Sequence, residues 1–325
     1  MIEINDVTKR YGDTVAVDHL SFTVRPGIVT GFLGPNGAGK TTTMRMILGL
    51  DAPTSGSVTV NGRSYKTIPA PMHQVGALLD AKAALGGHTA HQHLRWLAHA
   101  GGIPRPRIDE VLDLVGLSNV AGKRVGGFSL GMCQRLGIAA ALLADPRILL
   151  FDEPVNGLDP EGIRWIRTLL QRLAAKGRTI FLSSHLMSEM EETADHILVI
   201  SRGRLIADTS IAEFTQRSAS SHVRVVSPQA DGLAPLLERA GAIVTKSDGA
   251  LTVTGMEATR IGALALEHRF ELHELTPRRA TLETAFMELT QGSLEYQAEM
   301  PKVAAIAATA QPLTSMETHS WLLKR

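Results

Sequence analysis

The sequence predicts an α/β protein with a smaller α+β unit behind it, on three observations. A glycine-rich loop at 34–41 lies between an apolar strand and a helix. From 147 to 200, short apolar runs alternate with amphipathic stretches, the pattern of a parallel sheet. Beyond 222 the elements follow the order β-α-β-β-α-β, which is ferredoxin-like. Across all 325 residues, 44% hydrophobic and 20% charged composition supports a buried core and excludes global disorder.

Alternating apolar positions at Ile2 and Ile4, and again over 15–24, read as antiparallel strands, with 57–60 closing on a hairpin turn at Asn61 and Gly62. The strand at 28–33 feeds the glycine loop, and a helix runs from about Thr41 to Leu50. Residues 88–145 read as mostly helical, broken at Gly101, Gly102, Pro104 and Pro106. Then follow strand 148–151, helix 162–175, strand 179–182, helix 186–193 and strand 196–200, with a turn at 202–204 leading to a last strand and a short helix ending near Arg217. Serines at 218, 220 and 221 mark a linker over 218–221. The second unit, 222–290, reads as strand 222–226, helix 231–240, strand 242–246, a turn at Asp248 and Gly249, strand 251–254, helix 257–267, strand 270–275 and helix 281–290. From Gln291 the chain loses periodicity and is expected to be a loosely ordered tail over 291–325.

Charge and composition narrow the function classes. Lys plus Arg number 33 against 32 Asp plus Glu, a formal +1, so bulk charge offers nothing to hold nucleic acid. Cys133 is the single cysteine, which excludes an intramolecular disulfide framework and suits a reducing compartment. The opening residues lack the apolar run of a signal peptide. The longest apolar stretch, 136–144, is far short of the about 20 residues needed to span a bilayer.

Gly34, Pro35, Asn36, Gly37, Ala38, Gly39, Lys40 and Thr41 fit the G-x-x-x-x-G-K-[ST] pattern, with Thr42 next on the helix. Glycines let backbone N–H groups converge on a phosphate, and the helix points its positive end there. Lys40 would neutralise β- and γ-phosphate oxygens, and the Thr41 hydroxyl would coordinate Mg2+. A second acidic site follows the apolar run 148–151, where Asp152 suits the Mg2+ shell, directly or through water, and Glu153 suits polarisation of an attacking water.

With these motifs the chain resembles the ATP-binding cassette (ABC) family over about residues 1–215, which implies an ATP-binding domain at 1–217. Phe128, Ser129, Leu130, Gly131 and Met132 stand where that family carries its LSGGQ signature, ahead of Cys133, Gln134 and Arg135. Asn156, Gly157, Leu158 and Asp159 look like its D-loop, Ser183, Ser184 and His185 its switch histidine, and Tyr11 the aromatic that stacks on adenine. The resemblance implies a P-loop NTPase cassette with a mixed sheet core, an antiparallel β subdomain and a helical subdomain at about 80–145. It also implies ATP and Mg2+ as cofactors and a head-to-tail dimer. In that dimer Ser129 and Gly131 would contact the γ-phosphate on the partner cassette, most simply a second copy of this chain, and Asp159 is expected among the nucleotide-binding residues. His185 would contact the γ-phosphate.

Two departures stand out. Asp80 takes the place of the usual Q-loop glutamine, where it is expected to keep a metal or water role, and Leu130 and Met132 replace the signature's Gly and Gln. The Ser-Leu-Gly-Met form resembles the daunorubicin-resistance and bacitracin type export branch, which often carries a C-terminal extension like 222–290. The resemblance therefore implies a transporter ATPase on the cytoplasmic face of the membrane, driving export of a drug, antibiotic or lipid-like compound through separate permease subunits. The alternative is a soluble ABC ATPase with a regulatory or sensing role. His88, His91, His93 and His99 lack a nearby Cys or clear carboxylate and read as a solvated helix start, while Trp96 and Trp165 read as core or subunit contacts.

Overall fold

Alternation folds the first 60 residues into β1 (Ile2–Tyr11), β2 (Thr14–Val24), the fully buried β3 (Val29–Leu33), α1 (Lys40–Ile47) and β4 (Ser55–Val60). In this computed structural model residues 1–216, 218, 220–247 and 249–290 are described. The expected tail at 291–325, together with Arg217, linker residue Ala219 and turn residue Asp248, lies outside the described residues. Helix α1 stops short of the expected Leu50 because Gly49, at φ 63°, turns the chain. Strands β2, β1 and β4 pair antiparallel in that order, turning Ile2, Ile4, Val7 and Leu20 inward.

Next come β5 (Val75–Leu78), α2 (Ala90–Gly101), α3 (Pro106–Leu114), α4 (Leu130–Leu142), β6 (Ile148–Asp152) and α5 (Pro160–Ala175). They are followed by β7 (Thr179–Ser184), α6 (Met187–Thr193), β8 (His196–Ser201), β9 (Arg204–Ser210) and α7 (Ile211–Gln216). Among the described residues the core sheet has six strands in the order β5-β6-β7-β3-β8-β9, parallel except for β9. Phe22, Phe32 and Phe181 join it to the antiparallel sheet, with centroids 5.6, 5.8 and 5.3 Å apart.

Helices α2, α3 and α4 form the expected helical insertion between β5 and β6. Thr89 and Gln92 close a capping box at the start of α2, with Gln92 N–H donating to Thr89 Oγ1 at 3.1 Å and Thr89 N–H to Gln92 Oε1 at 2.9 Å. Helix α4 lies hard against β5. A Cβ at Gly76 would come within 1.9 Å of the Ala141 carbonyl oxygen.

The remaining elements are β10 (His222–Val226), α8 (Ala230–Arg239), β11 (Ile243–Ser247), β12 (Ala250–Thr254), α9 (Ala258–Glu267), β13 (Glu274–Arg278) and α10 (Leu282–Thr290). The four strands form an antiparallel sheet in the order β11-β12-β10-β13. The last strand sits later than the expected 270–275. Phe270 and Leu272 are spent packing against the core of this unit from a loop, and Pro277 is tolerated because β13 is an edge strand. Helix α10, grouped with this unit in the sequence, instead buries Leu282, Ala285 and Phe286 in the same core as α2, α4 and α5.

The close approach of α4 to β5 makes Gly76 a sharp probe of the fold. Gly76→Ala should lower unfolding stability by about 1–3 kcal/mol through overpacking against rigid backbone. Urea denaturation should register this as a lower midpoint at unchanged slope.

Candidate functional site

The parallel strands β6, β7 and β3 end side by side, and their C-terminal ends deliver Asp152 and Glu153, Ser183 to His185, and the glycine loop to one edge of the sheet. Gly37 and Gly39 adopt φ of 80° and 105°, which side chains resist, and a Cβ at Gly39 would lie 2.5 Å from the Ala16 carbonyl oxygen. Gly34 is equally confined, with the Ile200 carbonyl oxygen 2.3 Å from where its Cβ would be. Pro35 is half-buried, Ala38 buried and Asn36 exposed on the rim.

Under this loop the Lys40 side chain is only 7% exposed, and Nζ donates to the carbonyls of Gly34 at 2.7 Å and Pro35 at 3.2 Å. Burial pulls its pKa below the ordinary lysine value, and the nearby carboxylates of Glu153 and Asp152 oppose that shift. An ammonium so placed is completed by an added anion, which is the demand a phosphate meets.

Thr41 Oγ1 donates to Asp152 Oδ2 at 2.6 Å, so two of the three expected metal ligands are already adjacent. The other carboxylate oxygen of Asp152 accepts from the Ser183 hydroxyl, which itself accepts the Glu153 N–H at 3.0 Å. Glu153 sits at φ 51°, uncommon for a residue with a side chain, and the buried Gln134 holds its carbonyl oxygen at 3.0 Å. Its Oε2 meets His185 Nδ1 at 2.8 Å. Sequence reasoning placed Glu153 and His185 but passed over Ser183 and Gln134. The signal for Ser183 was its place two residues before the histidine on a strand beside β6. Thr41, Asp152 and a bound phosphate form the sparse oxygen donor set that Mg2+ accepts, so these residues fit that ion.

The other expected residues lie elsewhere or have a second task. Tyr11 is 48% exposed. Its hydroxyl donates to Asp51 Oδ2 at 2.9 Å, and Lys9 Nζ lies 4.8 Å from the ring centroid. Thr42, half-buried on α1, lies beside that hydroxyl. Asp80 is exposed just past β5, and its Oδ1 accepts the Lys82 N–H at 2.8 Å, closing its own turn. Ser129 is the N-cap of α4, accepting the Met132 N–H at 3.2 Å. Asp159 caps α5 through the Gly162 N–H at 2.8 Å. Gly131 leaves no room for a side chain, because a Cβ there would lie 2.6 Å from the Gly157 carbonyl oxygen, and Leu130 packs over Gly157 in return. Among the described residues no group of three His, Cys, Asp or Glu converges as a metal cage, and the histidines at 88–99 do not form one. Trp165 stacks under the Arg135 guanidinium at 5.0 Å, whereas Trp96 is 64% exposed.

Residues 17–156 match the protein family described as ABC transporter, and residues 221–283 match the domain of unknown function DUF8746. The chain is 44% identical over 221 residues to the bacitracin transport ATP-binding protein BcrA of Bacillus licheniformis, covering 67% of this chain and 72% of the relative. It is 36% identical over 303 residues to the uncharacterized ABC transporter ATP-binding protein YhcH of Bacillus subtilis, covering 89% and 96%. A solved ATP binding subunit of an ABC transporter superposes with a TM-score of 0.62 at 27% identity, covering 67% of this chain and 92% of that one.

Two substitutions separate the parts of this site. Ser183→Ala removes the partner of one Asp152 carboxylate oxygen and of the Glu153 N–H, and should cost about 1–3 kcal/mol in chemical denaturation. Lys40→Met removes the buried charge, so the melting temperature of the nucleotide-free protein should not fall. The stabilisation that MgATP gives the unsubstituted protein, about 2.7 kcal/mol at a hundredfold excess over Kd, should vanish in that variant.

Proposed function

The chain belongs to the ABC transporter family of ATP-binding proteins, and from that premise we propose that it hydrolyses MgATP to power export through separate permease subunits. Membership makes it an ATP-binding ATPase; the assignment of residues to steps is our reading. One observation carries it: Lys40, Thr41, Asp152, Glu153 and His185 converge from three adjacent strands at a single edge.

In this reading the N–H groups of 36–42 and the Lys40 ammonium bind the β- and γ-phosphates. Thr41 and Asp152 would hold Mg2+, which would supply charge neutralisation on the phosphate oxygens. Glu153 orients a water and takes its proton as the water oxygen bonds to the γ-phosphorus. The bond from that phosphorus to the bridging oxygen breaks, its electron pair leaving with ADP. His185 holds the Glu153 carboxylate through Nδ1, and its Nε2 would serve a γ-phosphate oxygen. The Tyr11 ring face away from Lys9 takes the adenine. Asp80 would keep a metal or water role, its Oδ1 being engaged by the Lys82 N–H.

The exposed N-terminus of α4, with Ser129 and Gly131, and the nearby Asp159 complete the nucleotide site of a second copy bound head to tail. Among the described residues no helix is long and apolar enough to cross a membrane. The work is therefore assigned to permease partners at the cytoplasmic face, docked at the helical subdomain. The likeness to a bacitracin transport protein supports a drug, antibiotic or lipid-like cargo. A formal charge of +1 supports no nucleic-acid partner.

Glu153→Gln should bind ATP, accumulate a dimer in size-exclusion chromatography with ATP, and lose about 100-fold or more in turnover; near-normal hydrolysis would overturn the assignment of the base. Asp80→Ala should lower Mg2+-dependent ATPase activity, and unchanged activity with unchanged transport would remove Asp80 from the site. Purification from membranes should recover an integral partner with the chain. Recovery only as a soluble protein would argue for the regulatory alternative.

A further inference from the structure

Helix α6 begins two residues after His185, and its seven residues are held on three sides. Beneath it is β3. Met190 is fully buried, and a Cβ at Gly31 would come within 2.2 Å of the Met190 sulfur, so the helix rests directly on the strand that feeds the glycine loop. From α5, Arg167 Nη2 donates to Glu189 Oε2 at 3.0 Å while Nη1 pairs with Glu192.

The third side is α10. The Leu282 N–H, in the first turn, donates to Glu191 Oε2 at 3.1 Å, which sets a carboxylate at the positive end of that helix. Leu282 is fully buried, and with Ala285 and Phe286 it anchors α10 in the first core. The other attachments of α10 run to the segment joining the two units. Ser218 Oγ donates to Glu288 Oε2 at 2.8 Å, and Ser221 Oγ accepts the Ala280 N–H at 3.0 Å while donating to the Thr215 carbonyl at 2.6 Å.

We infer that Glu191 is a positioning residue for hydrolysis: through its bond to α10 it fixes α6, and α6 fixes His185 against Glu153. The inference rests on the roles proposed above for His185 and Glu153. A seven-residue helix has little cohesion of its own, so its orientation is set by what grips it. Arg167, Gln171 and Met190 hold its middle, its C-terminal end and one flank, and losing Glu191 loosens the side that faces α10. His185, on the chain immediately before α6, moves with the helix. The segment joining the two units, which holds α10 through Ser218, thereby bears on the hydrolytic pair without touching the nucleotide.

The test is steady-state ATPase kinetics on the full chain, comparing wild type, Glu153→Gln, Glu191→Ala and Glu191→Gln. Glu191 is exposed, so neither substitution at that position opens a cavity. Glu191→Ala should lower kcat about tenfold with KM for ATP within about twofold, the signature of a misplaced group rather than a lost ligand contact. Glu191→Gln, which keeps an oxygen for the Leu282 N–H, should recover most of that rate. Unchanged kcat in Glu191→Ala, a loss confined to KM, or no rescue by glutamine would each overturn the inference. If Glu153→Gln hydrolyses normally, the hydrolytic reading itself falls; if only the Glu191 variants behave as wild type, the inference falls and that reading stands.

Discussion

A buried ammonium is the constraint around which this molecule is arranged. Lys40 lies under its own loop with two backbone carbonyls for partners, and burial weakens its hold on its proton. Such a group is tolerable only where other negative charge lies near and where an anion can enter. The sheet order supplies the first condition by ending β6 beside β7 and β7 beside β3, so that Asp152 and Glu153 lie close to the lysine. The glycines serve the second, because Gly37 and Gly39 take positive φ values that side chains resist, as a loop closing on an anion requires.

Polar side chains around the site hold one another. Ser183 links Asp152 to the backbone of Glu153, Gln134 holds the Glu153 carbonyl, and His185 holds its carboxylate. Gln134 belongs to α4, the helix whose N-terminus carries Ser129 and Gly131. The signature and the acidic pair are therefore parts of one hydrogen-bonded assembly, and Leu130 over Gly157 adds an apolar contact between the signature and the D-loop. That contact accounts for Leu130 at a position where the family carries glycine: its side chain occupies the space Gly157 leaves.

Much of this was legible in the chain itself. The G-x-x-x-x-G-K-[ST] loop, the acidic pair after an apolar strand and the histidine after another are local patterns, and local patterns survive in one dimension. The strand at 270–275 was misplaced because Phe270 and Leu272 carry the apolar signature of a strand while serving a loop. Asp159 and Ser129 were read for the nucleotide alone, yet each is also a helix cap whose N–H partner lies three residues on. Helix α10 was assigned to the unit that precedes it, since periodicity shows that a helix has an apolar face and not which core receives it.

By itself the sequence determined the chemistry available here: an ammonium and a hydroxyl at a helix start, two carboxylates at a strand end, an imidazole after a neighbouring strand, and a family in which these recur together. Only the tertiary structure decided how they meet. Strand order brings residues more than a hundred positions apart within hydrogen-bonding distance, as in Thr41 and Asp152. It also seats a helix from the far end of the described chain against α6. Side-chain patterns encode which surfaces must be buried, but the partner for each surface is chosen by how whole elements pack, and that choice exists only in three dimensions.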